Sequence, residues 1–249
     1  MHLTIVGAIP FTHVGAINLT VVGAIQLTPV GAIPLTIVGA MGLTQVGAIG
    51  YEAGAAASAL LVLGHGAGAG QQHPFMVSMA RALSAKGVST VTFDFPYMRE
   101  HRKVPDRAPV LEAAFGEAIA AAGEWARGLP LFIGGKSMGG RMATHLGAQQ
   151  LDGLKGLVVF GYPLHPPGKP DQPRVVHLPS ITVPTLIVQG ERDTFGTPEE
   201  LRPVLKTMKA PVTLHVVAKG DHSLTVRGQK RDDTIAEVTD VVVSWMAKI

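Results

Sequence analysis

The sequence predicts an α/β domain, a mostly parallel sheet with helices on both faces, preceded by a tandem repeat of different character. Three observations predict it. From about Tyr51 onward, short apolar runs of strand length alternate with longer stretches of helical periodicity. The runs, such as "ALLVL" and "LFI", are apolar at successive positions rather than at every second one, which suits strands covered on both faces. Glycine-bearing motifs follow the runs directly, at the carboxyl ends where parallel sheets bind ligands.

Taken in order, the expected elements begin with an apolar run Ala59–Leu63, a helix near Phe75–Lys86 and a run Ser89–Asp94. A helix near Val110–Arg127, the run Leu129–Ile133 and a helix from Met138 to Gln149 come next. The run Gly156–Phe160 precedes a proline-rich loop, "GYPLHPPGKPDQPRVVHLPS". Then follow Thr185–Val188, a helix near Pro198–Met208, the run Val212–Val217 and a last helix near Asp233–Ala247. We set the domain at residues 51–249 and the repeat at 1–50.

The repeat consists of octapeptides of the form LTxVGAIx from Leu3 to Gly50, uncharged throughout and matching no common solenoid period. Its Val, Ile and Thr favour extended structure, while Gly and Pro interrupt it. One reading is a β-repeat for self-association through exposed strand edges. The reading we favour is a translated tandem DNA repeat, with Met41 a later candidate start. No chemistry is expected there, and its structure is left open.

Composition narrows the function classes. The 249 residues are 47% hydrophobic and carry a net charge of +3, with Lys and Arg scattered except for a knot at Arg99–Arg107 that also holds Glu100 and Asp106. That is a solvated surface rather than a nucleic-acid face. Without cysteine there is no disulfide, thiol nucleophile or thiolate metal site. The ten histidines show no ligand spacing, so neither metal nor organic cofactor is expected. Apolar stretches are too broken for a membrane span, and no basic region followed by an apolar core opens the chain, so a cytoplasmic location is expected. Oligomeric state is not legible.

Chemistry concentrates in three strand-end motifs. Gly135-Lys136-Ser137-Met138-Gly139 matches G-x-S-x-G between a strand and a helix, the setting in which a serine is exposed as a nucleophile at a strained turn. The helix that follows aims its amides and dipole at the same spot. Its "GKS" is no phosphate loop, because Pro130 stands where the required glycine belongs. The second motif, "LGHGAGAG", supplies the other half of an oxyanion hole, which assigns the backbone amides of Ala67 and Met138 to that role and makes His65 a loop-ordering side chain. The same glycines also fit a looser dinucleotide fingerprint, with Asp94 as the ribose acid. The third element is the pair Asp193 and His222, each following an apolar run and a glycine. A serine needs a base and the base needs a carboxylate, and the order Ser137, Asp193, His222 supplies them. Glu191 and Asp221 are the alternative acids. Taken singly, Asp193 also reads as a cap before Thr197-Pro198.

The stretches "LGHGAGAG", "FDFPYMRE", "GGKSMGGRMA", "GYPLHPPGKP", "VQGERDTFGTPEEL" and "GDHSL" together resemble the small α/β-hydrolases grouped with testis-expressed protein 30. They are also similar to the hydrolase-like domain of subunit 3 of the non-specific-lethal complex and, more distantly, to dienelactone hydrolases. The resemblance runs from Ala59 to the C-terminus. It implies an α/β-hydrolase fold and a triad at Ser137, Asp193 and His222, but no substrate. That fold usually begins with one or two further strands, and here the octapeptides occupy their place, either supplying substitutes or leaving an edge open.

The sequence therefore reads as a serine hydrolase acting on a small or medium acyl substrate. Its pocket walls are expected from His65 and, in the segments Phe95–Met98 and Tyr162–Lys169, from Phe95, Tyr97, Tyr162 and His165. The competing class is a non-catalytic module that keeps the fold. Dinucleotide binding is the third alternative.

Overall fold

The computed structural model describes residues 41–54, 57–126 and 128–249. Seven strands form one sheet in the order β1-β3-β2-β4-β5-β6-β7. They are β1 (Ala48–Tyr51), β2 (Ala59–Gly64), β3 (Val88–Phe93), β4 (Leu131–Lys136), β5 (Leu154–Phe160), β6 (Thr185–Gly190) and β7 (Val212–Val217). All neighbours pair in parallel except β1, which runs antiparallel along β3. The helices are α1 (Met41–Gln45), α2 (Pro74–Ala85), α3 (Pro96–Arg99), α4 (Ala108–Trp125), α5 (Met138–Ala148), α6 (Pro198–Leu205) and α7 (Arg231–Met246).

Every residue of β2, β3 and β6 is buried, and their side chains divide between two cores by the period of two that a strand imposes. Leu60 and Val62 enter the core shared with α4 and α5, while Ala59, Leu61 and Leu63 enter the one under α2 and α7. This double burial is what lets a strand read as a continuous apolar run.

Chain order around the sheet fixes where a ligand can go. From β2 the chain steps outward to β3, then crosses back over β2 to β4 and continues to the far edge. The reversal leaves a crevice between the carboxyl ends of β2 and β4, at Gly64 and Lys136. Residues 65–67 and Ser137 follow immediately.

The last octapeptide is part of this sheet. Leu43 is buried against α4, and β1 pairs Ala48 with Phe93 through Tyr51 with Thr90. Gln71 Nε2 donates to the Gly47 carbonyl at 2.8 Å and ties the junction down. The boundary expected at residue 50/51 thus falls inside a strand. An uncharged LTQVGAIG unit reads as low complexity, yet its Leu and its extended tail find an apolar core and an open strand edge. The earlier units, the expected self-association among them, lie outside the described residues. Among the described residues no helix is long and apolar enough to cross a membrane.

Candidate active site

Ser137 sits between β4 and α5 with φ 51° and ψ −112°. This left-handed backbone is costly for a residue with a Cβ and is held by its surroundings. The Ser137 amide donates to the Phe160 carbonyl at 2.9 Å, and Arg141 N returns to the Ser137 carbonyl at 2.9 Å. The turn lifts Oγ to 2.8 Å from His222 Nε2.

His222 comes from the loop after β7 and Asp193 from the turn after β6. The ring Nδ1 faces both Asp193 oxygens, at 2.9 Å for Oδ1 and 2.8 Å for Oδ2. A carboxylate only accepts, so Nδ1 carries the proton and Nε2 is left as the acceptor toward Ser137. Asp193 is buried, and its oxygens also accept from Phe195 N and Gln189 Nε2, each at 2.8 Å. Phe195 stacks on the imidazole, ring centroids 4.1 Å apart. The other acids are engaged elsewhere. Asp221 accepts from Ser223 N and Thr225 N to shape the His222 turn, and Glu191 accepts from Lys219 N. Helix α6 is capped by Thr197, through a reciprocal box with Glu200, and not by Asp193.

The glycine-rich loop lies across from the serine. A Cβ built on Gly66 would stand 3.7 Å from that of Ser137. Ala67 and Met138 both line the same cavity, and among the described residues the backbone N–H of neither donates to another protein group. His65 is fully buried behind the loop. Its Nδ1–H donates to the Gly66 carbonyl at 2.8 Å and its Nε2 accepts from Phe95 N at 3.1 Å, which fixes a neutral ring; burial pushes its pKa down. Helix α2 starts only at Pro74, so the loop does not run into a helix N-terminus as a dinucleotide cradle requires. Asp94 is taken by Gln71, whose N and Nε2 donate to it.

A cavity of about 580 Å³, in the range of small-molecule sites, opens over Ser137 and His222. Its walls differ from those expected, because His65, Phe95, Tyr97, Tyr162 and His165 lie outside them. Phe95 packs into a ring cluster with Phe93 and Phe115. Tyr97 is buried with its hydroxyl 3.4 Å from Gly68 N, and Tyr162 O–H donates to the Arg174 carbonyl at 2.5 Å. His165 turns to the Pro166 carbonyl. Large aromatic side chains next to strand ends bury their area in the core when the core can take them. The walls come instead from Phe75, Met76 and Met79 of α2, from Ile235 and Val238 of α7, and from Pro163, Arg141 and Arg174.

Two supporting residues escaped the sequence reading. Gln189 is buried at the end of β6, where it accepts from Tyr162 N and donates to Asp193 and to the Gly196 carbonyl. Lys136, directly before the serine, donates to the His222 carbonyl and so braces the His222 loop. Gly161, at φ 63°, leaves room for that contact, since a Cβ there would be 2.8 Å from Lys136 Nζ and 2.9 Å from the His222 carbonyl. Burial lowers the Lys136 pKa to about 8 against the opposing pull of Asp193 and Asp221. Between pH 8 and 10.5 the unfolded chain then binds more protons at this position than the folded one. Stability contributed here rises with pH across that window, by about 3 kcal/mol at most. Urea midpoints at pH 7 and pH 10 are expected to show this rise in the wild type and not in Lys136→Met; parallel behaviour of the two proteins would refute it.

The model of the alpha/beta hydrolase domain family matches residues 57–248. The chain belongs to the α/β-hydrolase family. Among solved structures it is similar to a dienelactone hydrolase from Anabaena variabilis, at 18% identity and a TM-score of 0.63 over 81% of this α/β-hydrolase and 91% of that chain. An alpha-beta serine hydrolase homologue from Coxiella burnetii matches at 17% and 0.64, covering 79% and 90%. Est1E from Butyrivibrio proteoclasticus, solved with ferulic acid, matches at 17% and 0.61, covering 81% and 94%. Identities this low speak for the fold.

Proposed function

We propose that this α/β-hydrolase cleaves a carboxylic ester or thioester of small to medium size through a serine acyl-enzyme. The observation that carries the reading is the continuous relay Ser137 Oγ to His222 Nε2, and His222 Nδ1 to Asp193, with contacts of 2.8 and 2.9 Å. In the first half-reaction Oγ forms a bond to the substrate carbonyl carbon as its proton passes to Nε2. Collapse breaks the bond to the leaving oxygen or sulfur, which takes that proton from Nε2. Water repeats the sequence on the acyl-enzyme, releasing the acid and restoring the serine. Asp193 holds the ring and stabilises the imidazolium. The amides of Ala67 and Met138 take the oxyanion, a role supported by their freedom from protein acceptors and by the start of α5 at Met138. The likeness to Est1E, solved with ferulic acid, fits a small-molecule substrate. Within the family, the quoted motifs favour the group of testis-expressed protein 30.

A fluorophosphonate probe, followed by peptide mass spectrometry, tests the reading. The folded wild type is expected to carry the label on Ser137 and to lose it in competition with short acyl esters. A folded protein that takes no label would leave the non-catalytic module as the better account.

A further inference from the structure

The cavity over Ser137 has two unlike sides. Met76 and Met79 of α2 and Ile235 and Val238 of α7 belong to the core on one face of the sheet and make an apolar stretch, with His73 and Arg231 lining the cavity at the starts of those two helices. Arg141 of α5, Leu111 of α4 and Arg174 of the proline-rich loop lie at the other, with Asp106. Lys136 and Asp106 are already paired, Lys136 with the His222 carbonyl and Asp106 with Arg102 Nη2 and Tyr97 N. Arg141 and Arg174 are not. Neither forms an ion pair among the described residues. The Arg141 Nε is buried without a protein hydrogen-bond partner. The nearby carboxylate, Glu112, is held by His145 Nδ1 at 2.8 Å and Gln149 Nε2 at 2.9 Å.

Two such unpaired cations lining one cavity are unfavourable for folding alone. Burial and then the Arg174 charge lower the Arg141 pKa. Both are nevertheless held in place. Arg141 stands one helical turn after Ser137. Arg174 is fixed at its backbone, its N donating to the Leu164 carbonyl at 2.7 Å and its carbonyl accepting from Tyr162 O–H. A guanidinium with an open donor edge matches the geometry of a carboxylate or phosphate.

We propose that Arg141 and Arg174 form an anion subsite, so that the ester or thioester cleaved carries a carboxylate or phosphate group a few bonds from the reacting carbonyl and an apolar part that lies toward Met76, Met79, Ile235 and Val238. The inference rests on the Ser137 reading for its chemistry, but binding tests it separately.

The kinetic test compares p-nitrophenyl hemiglutarate with the neutral p-nitrophenyl valerate, a chain of the same carbon count. The wild type is expected to prefer the hemiglutarate in kcat/KM. In Arg141→Gln and Arg174→Gln the ratio should fall by about tenfold or more, the scale of a lost charge-assisted hydrogen bond. An unchanged ratio in both variants would overturn the subsite. The binding test uses Ser137→Ala, which needs no turnover. Monomethyl glutarate should raise its melting temperature saturably, and adding Arg174→Gln, a change on a surface loop, should remove that shift. Displacement of the glutarate by inorganic phosphate would assign a phosphate-bearing substrate, and resistance to displacement a carboxylate. Turnover of both esters without charge preference leaves the serine reading standing and the subsite wrong. Glutarate binding without any ester turnover does the reverse.

Discussion

Hydrolysis of an activated ester is expected to fall about a millionfold in Ser137→Ala and in His222→Ala, and no further when both are changed, because nucleophile and base act as one unit. Asp193→Asn should cost about 10⁴ in kcat. The reason is in the hydrogen bonds. Asp193 accepts from three sources: His222 Nδ1, Phe195 N and Gln189 Nε2. An asparagine must aim its amide N–H₂ at one of these donors. If it faces His222, the ring changes tautomer and presents N–H to Ser137, which then has no base. In the Oδ1 place the amide also opposes Phe195 N, and in the Oδ2 place it opposes Gln189 Nε2, which cannot turn over because the Gln189 Oε1 accepts from Tyr162 N at 2.7 Å. The variant should therefore also lose about 1–3 kcal/mol of stability, the cost of a buried unsatisfied donor. Burst and steady-state kinetics with p-nitrophenyl butyrate, with urea unfolding alongside, separate the two effects. Wild-type turnover in a folded Asp193→Asn protein would remove Asp193 from the mechanism.

The sequence revealed those elements of the fold and site whose local chemistry is specific, and hid those decided by distant contacts. Parallel strands announced themselves as apolar runs, and Ser137, Asp193 and His222 as residues that follow such runs after a glycine. The end of β4 was hidden. Gly134, Gly135 and Lys136 have little strand preference, but the ladder pairs them with Val158, Val159 and Phe160 and extends the strand to the serine. Strand β1 was hidden for the opposite reason, its residues being indistinguishable from the repeats before it. The cavity wall was the poorest reading. Aromatic residues near a strand end look like pocket residues, yet which way they point depends on whether a core such as Phe93 and Phe115 stands ready to receive them. The missed residues had faint signals. Gln189 is a polar residue closing the run "LIVQG" just before the acid, and Arg141 follows the serine by one helical turn.

Gly139→Ala is expected to be strongly damaging, and it explains why a glycine stands two residues after the serine. A Cβ at residue 139 would lie 2.1 Å from the Gly64 carbonyl oxygen, 2.3 Å from its carbon and 2.7 Å from the His65 oxygen. All three are backbone atoms, so no rotamer can relieve the overlap, and α5 must pull away from the end of β2. We expect a loss of at least about 4 kcal/mol, a large part of the stability of an ordinary domain. Gly116→Ala and Gly123→Ala, on α4 with nothing within 4 Å, provide the contrast and should stabilise by about 0.4–1 kcal/mol through the unfolded chain. Urea midpoints for the three variants decide it; a Gly139→Ala protein as stable as wild type would mean that α5 and β2 do not meet as described. The consequence reaches function. The same close approach brings Gly66 beside Ser137, with Ala67 and Met138 next to them in the cavity wall. The glycine at 139 therefore sets the spacing of the two halves of the proposed oxyanion hole. Any Gly139→Ala protein that folds should lose kcat for the ester more than affinity for it, because the oxyanion exists only after Ser137 has attacked.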